Sequence, residues 1–145
     1  MKQWRMFLLE GATEYSGILK IKPDVKILSE MEAMQSMLPE EATRIKPEDF
    51  HVTLVHQSIL KPFANEMKVL DFPDPPAVIL DEEVFERKSP GKKSWAVRLV
   101  NQEEMREYVK NIMEMLGSQN TNPEPERVFH VSLANLTGNP HDSVR

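Results

Sequence analysis

Phe50-His51-Val52-Thr53-Leu54 recurs almost unchanged as Phe129-His130-Val131-Ser132-Leu133, and this repetition organises the whole chain. Aromatic and β-branched residues at this density mark a strand in each copy. Strand side chains alternate between faces, so His51 and Thr53 share one face while Phe50, Val52 and Leu54 share the other. His130 and Ser132 do the same in the second copy. Each His–hydroxyl pair is held on a stiff element by three apolar anchors, as a preorganised site requires.

The elements leading up to each copy repeat as well. Tyr15–Lys22 reads as a strand ending at Pro23. Ile27, Leu28, Met31, Met34 and Leu38 then follow helical spacing behind an Asp24 cap, and Pro39 closes the helix. Residues 39–49 are loop, and Phe50–Val55 is strand. In the second half, Ser94–Val100 is strand and Asn101 caps a helix. Met105, Tyr108, Val109, Ile112, Met115 and Leu116 line that helix, which ends at Gly117. A polar loop from Ser118 to Arg127 leads to a strand at Val128–Leu133.

Between the halves, Leu60–Met67 reads as a short helix and residues 72–76 as a break. Ala77–Leu80 is a strand that Val84 and Phe85 extend or follow. Ser89–Lys93 reads as a hairpin connection. The first ten residues have no clear period and read as peripheral.

Both halves are therefore strand, helix, polar loop, strand. Ile18 precedes His51 by 33 positions, and Val97 precedes His130 by 33. Such a duplication points to two similar lobes about a pseudo-two-fold axis, one spanning about residues 12–70 and the other about 77–135, within a single domain 1–145. Each unit is long enough for a right-handed crossover. The fold class is α+β or α/β.

Composition narrows the chemistry. Hydrophobic residues make up 40% of the 145 and charged residues 28%, which is ordinary for a globular chain. No apolar run approaches bilayer length, so no membrane association is expected. Met6–Leu9 is too short for a signal-peptide core and is closed by Glu10, so the expected location is cytoplasmic. Without cysteine there is no disulfide, no thiolate nucleophile and no Cys-ligated zinc. The net charge of -5 argues against gripping long nucleic acid, though not against a small nucleotide.

Two imidazoles and two hydroxyls converging in one cleft suit phosphodiester cleavage. One imidazole deprotonates the attacking hydroxyl or water, and the other protonates the departing oxygen. Thr53 and Ser132 donate to the non-bridging oxygens, where charge sits in the transition state. A single His-x-Ser/Thr on a strand is most often structural; two copies in equivalent units point to a shared site. Neither motif carries a carboxylate or a second in-phase His, so no metal and no other cofactor is expected. His56 falls on the opposite face of a continuing strand and reads as a surface or structural histidine. His141, in a polar tail, reads as solvated.

The twin motif, one copy per duplicated unit, resembles that of the two-histidine (2H) phosphoesterase superfamily, and the resemblance covers nearly the whole chain. It implies a bilobed α+β fold around a central cleft, with His51, Thr53, His130 and Ser132 as a catalytic tetrad. It also implies metal-independent action on 2′,3′-cyclic phosphates, or on 2′-5′ or 3′-5′ links in RNA ends and small nucleotides. In size and in its tail Asn135–Pro140, the chain looks like the phage branch that degrades cyclic di- and trinucleotide defence signals, whose members act in the host cytoplasm. The expected partner is thus a small cyclic nucleotide, or alternatively a short RNA end, and oligomeric state is left open. A non-catalytic nucleotide-binding module and a structural protein are the competing classes.

Four further residues are candidates for substrate contact. Tyr15 and Trp95 open the first strand of their lobes and offer rings for base stacking. Packing on the core is the competing reading for each. Lys93 and Arg98 are placed to counter phosphate charge, with plain solvation as the alternative.

Overall fold

A computed structural model describes residues 7–9, 11–23 and 28–144. Its strands are β1 (Phe7–Leu9), β2 (Gly11–Ser16), β3 (Ile18–Pro23), β4 (Thr43–Arg44), β5 (Val52–Val55), β6 (Val78–Ser89), β7 (Lys92–Leu99) and β8 (His130–Asn135). Helices are α1 (Leu28–Ser36), α2 (Gln57–Leu60), α3 (Ala64–Val69) and α4 (Gln102–Met115). The class is α+β. One sheet runs β1-β6-β7-β8-β5-β3-β2, with β4 paired to β8 outside that path. Every pairing in it is antiparallel. Among the described residues no helix is long and apolar enough to cross a membrane.

Apart from β1 at one edge, the order is symmetric about the β5–β8 pair, where Val52 faces Val131. On each side a hairpin, β2–β3 or β6–β7, flanks the strand that carries a histidine motif. Both halves feed one buried cluster. Leu19, Ile21, Val52, Leu54, Val97, Leu99, Val131 and Leu133 supply the sheet side, and Met31, Met105, Tyr108, Ile112 and Met113 supply the helix side.

Several expectations are corrected. The strand expected at Tyr15–Lys22 is two strands, broken at Gly17, whose φ of 87° is a conformation that side-chain-bearing residues resist. The units contain no parallel crossover, because β3 pairs antiparallel with β5 and β7 with β8. Nor is the spacing equal. Val52 faces Ile21 while Val131 faces Val97, so the first unit is three residues shorter between paired positions. Phe7–Leu9, expected only as a peripheral segment without a clear period, is the edge strand of the sheet, paired with β6, Phe7 facing Leu80.

Helix details shift too. The cap expected at Asp24, and Ile27 behind it, lie outside the described residues. Met31 is buried, whereas Leu38 lies beyond the end of α1 and packs half-buried on the core. In α4 the buried stripe runs through Met113 in place of Met115, which is 49% exposed, because Val109, Ile112 and Met113 follow the three-four spacing of one face. Asn101 precedes that helix without capping it. Its side chain donates to the Ala77 carbonyl at 2.7 Å and accepts from the Ile79 amide at 3.3 Å, tying the helix start to β6.

Candidate active site

Alternation along the strands sends Leu19 and Ile21 into the core and turns Lys20 and Lys22 to the other face. Register partners share a face, so Lys20 stands beside Thr53, and Arg98 on β7 stands beside His130. On this face opens a cavity of about 340 Å³. All four residues expected from the twin motif line it: His51, Thr53, His130 and Ser132.

The two imidazoles are held in matching ways. His51 Nδ1 lies 2.9 Å from the Asp49 carbonyl, and His130 Nδ1 lies 2.8 Å from the Val128 carbonyl. A carbonyl only accepts, so each Nδ1 carries the proton and donates it. In both rings Nε2 is then the basic nitrogen. The carbonyl partner sits two residues before the histidine in each copy, so the local chain path repeats along with the sequence.

Charge makes the pair unequal. Burial lowers the His51 pKa below its ordinary 6.5, partly offset by the Asp49 carbonyl and reinforced by Lys20 and Lys22. Burial pushes His130 further, to about 4, against the raising effect of the Val128 carbonyl and with help from Arg87, Arg127 and His51. Arg87 Nη1 is 3.1 Å from His130 Nε2 and 3.3 Å from its Nδ1. A nitrogen nearly equidistant from both ring nitrogens sits over the ring face, not along either in-plane lone pair. Phe85 meets the same ring edge-on, with centroids 6.2 Å apart.

None of the four further candidates lines the cavity. Tyr15 pairs with the buried Leu19 and shares its core-facing side. Trp95 is 3% exposed, with Lys93 Nζ 5.2 Å from its ring centroid. Lys93 is also tied to Glu41 at 2.5 Å and Glu86 at 3.1 Å. Packing thus prevails over base stacking for both aromatics. Arg98 is on the His130 face, but its guanidinium lies 4.3 Å above the Phe85 ring, outside the lining.

Other residues take those places. Lys20, Lys22, Arg127, His56 and His141 line the cavity, so all four histidines of the chain meet there. The Lys20/Lys22 alternation with Leu19 and Ile21 was a readable signal. His56 does not continue the strand alternation, because β5 ends at Val55. His56 instead caps α2, its Nδ1 accepting from the Ser58 amide at 3.2 Å. His141 arrives by a fold-back that sequence does not announce. The buried Asn135 donates to the Asn139 carbonyl at 2.6 Å and to Ser143 Oγ at 3.1 Å, and the Val144 amide donates to Ser94 Oγ at 3.1 Å. Arg127 is held by Glu124 through two bonds of 2.7 and 3.0 Å.

Among the described residues no group of three or more His, Asp or Glu side chains is placed to share a metal ion. Comparison with known proteins adds no relative: no family model, curated protein or solved structure matches the chain.

Proposed function

We propose that the chain is a phosphodiesterase of the two-histidine type, with a bilobed arrangement about the β5–β8 pair. The observation that carries this reading is the set His51, Thr53, His130 and Ser132 around one cavity, each imidazole fixed through Nδ1 so that Nε2 is the working nitrogen. One Nε2 takes the proton from the attacking water or 2′-hydroxyl, and the other supplies the leaving oxygen. Thr53 and Ser132 donate to the phosphoryl oxygens, and Lys20 adds positive charge. The scheme requires no metal.

The substrate we favour is a small cyclic nucleotide, such as a cyclic di- or trinucleotide signal. A second reading, a 2′,3′-cyclic phosphodiesterase or a ligase-like enzyme acting on RNA ends, is supported by size. At about 340 Å³ the cavity lies near the low end for ligand pockets, roughly 300–1,000 Å³.

Incubating the purified chain in EDTA with a panel of cyclic and linear nucleotides, and reading products by mass spectrometry, tests both. Hydrolysis of a cyclic dinucleotide supports the first reading; its survival while a 2′,3′-cyclic mononucleotide is consumed selects the second. His51→Ala and His130→Ala should each cut turnover by about 10²–10⁴-fold with the fold retained. Full activity in both variants overturns the proposal, and tight binding without product leaves a nucleotide-binding module.

A further inference from the structure

Each half sets a hairpin beside its histidine strand, yet the two histidines differ in charge environment, and the strand register locates where. Ser16 faces Ile18 across the β2–β3 hairpin, and Arg87 faces Ser94 across the β6–β7 hairpin. With Ile21 equivalent to Val97, as their partners Val52 and Val131 require, Ile18 corresponds to Ser94 and therefore Ser16 to Arg87. Where the first half presents a neutral hydroxyl to the cavity, the second presents a guanidinium to its histidine.

Resting on the phosphodiesterase reading, we propose that Arg87 is the positioning residue that breaks the pseudo-symmetry, holding His130 as the general base and leaving His51 as the general acid. A cation over the imidazole face repels a ring proton while leaving the in-plane Nε2 lone pair available. The Val128 carbonyl holds Nδ1–H, so protonation at Nε2 would place a full positive charge beneath the guanidinium.

The cationic groups near His130 oppose its protonation, against the Val128 carbonyl, which favours it. Arg98 stands beside it on β7, Arg87 and Phe85 come from β6, Arg127 precedes β8, and His51 lies across the cavity. Glu124 offsets Arg127 through its bidentate pair. The crowding is felt by Arg87 itself, whose pKa is lowered by burial and by Arg127 and Arg98. His51 has the lysines Lys20 and Lys22 near it, but its neighbourhood also contains Asp49, which favours the imidazolium.

The step balances as follows. His130 Nε2 accepts a proton from water or a 2′-hydroxyl as that oxygen bonds to phosphorus. The bond to the departing oxygen breaks, and His51 Nε2–H protonates it. Proton exchange with solvent then resets both rings. The bound phosphate's negative charge favours the imidazolium that His51 needs at the start.

Histidine-detected NMR titration of wild type, Arg87→Gln and Arg87→Lys, alongside pH profiles of kcat/KM, tests the assignment. Arg87→Gln should raise the His130 titration by about one unit, with His51 unmoved, and should shift the acid limb of kcat/KM upward equally. Arg87→Lys, which keeps the charge, should restore most of the wild-type behaviour. Turnover in wild type with no His130 shift in Arg87→Gln overturns the assignment alone. A His130 shift in a protein that cleaves no phosphodiester overturns the enzymatic reading, and the base assignment with it.

Discussion

Replacing His130 by Gln removes a side chain whose proton affinity folding changes substantially. Unfolded, the imidazole titrates near ~6.5; folded, burial and the surrounding cations bring it to about 4. Below pH 6.5 the unfolded chain takes up a proton that the folded chain refuses until near pH 4. The folded state thus has its full advantage from this group above pH 6.5 and loses it as pH falls toward 4. At pH 5 the loss works out to about 2 kcal/mol, from a shift of roughly 2.5 units at ~1.4 kcal/mol each, only part of which is expressed at that pH. Urea unfolding of wild type and His130→Gln at pH 8 and pH 5 measures it. The variant should lose about 2 kcal/mol less than wild type between those pH values. Equal losses in the two proteins would refute the claim that His130 is held neutral.

Two further expectations concern the C-terminal fold-back that brings His141 to the cavity. Asn135 is fully buried, and its Oδ1 accepts from the Thr137 amide at 3.0 Å and the Gly138 amide at 2.6 Å. Asn135→Ala should therefore cost about 1–3 kcal/mol in chemical denaturation, by leaving buried partners unpaired. Gly138 has φ 82°, and a Cβ there would meet Thr43 Cγ2 at 2.9 Å and the Arg44 carbonyl at 3.2 Å. Gly138→Ala should lower stability by about 1–3 kcal/mol, read as a reduced melting temperature; an unchanged one would show that the turn yields freely.

The four twin-motif residues that line the cavity were legible because strand periodicity and an internal repeat are local signals. Two pentapeptides with the same alternation state which side chains share a face, whatever the rest of the chain does. The α4 stripe was legible for the same reason, apart from the exchange of Met115 for Met113. The hairpin at Gly17 was missed because Tyr15–Lys22 is apolar enough to read as one run, and the turn has a single glycine to announce it.

Alternation by itself determined that His51 pairs with Thr53, that His130 pairs with Ser132, and that their apolar neighbours face a core. Only the tertiary structure decided that β5 and β8 lie side by side, that His56 and His141 reach the same cavity, and that Arg87 stands over one imidazole while Ser16 takes the matching place in the other half. The physical reason is range. Facing is set by the pleat within a few residues, whereas strand neighbours, fold-backs and the fields of distant charges depend on which parts of the chain the common core draws together.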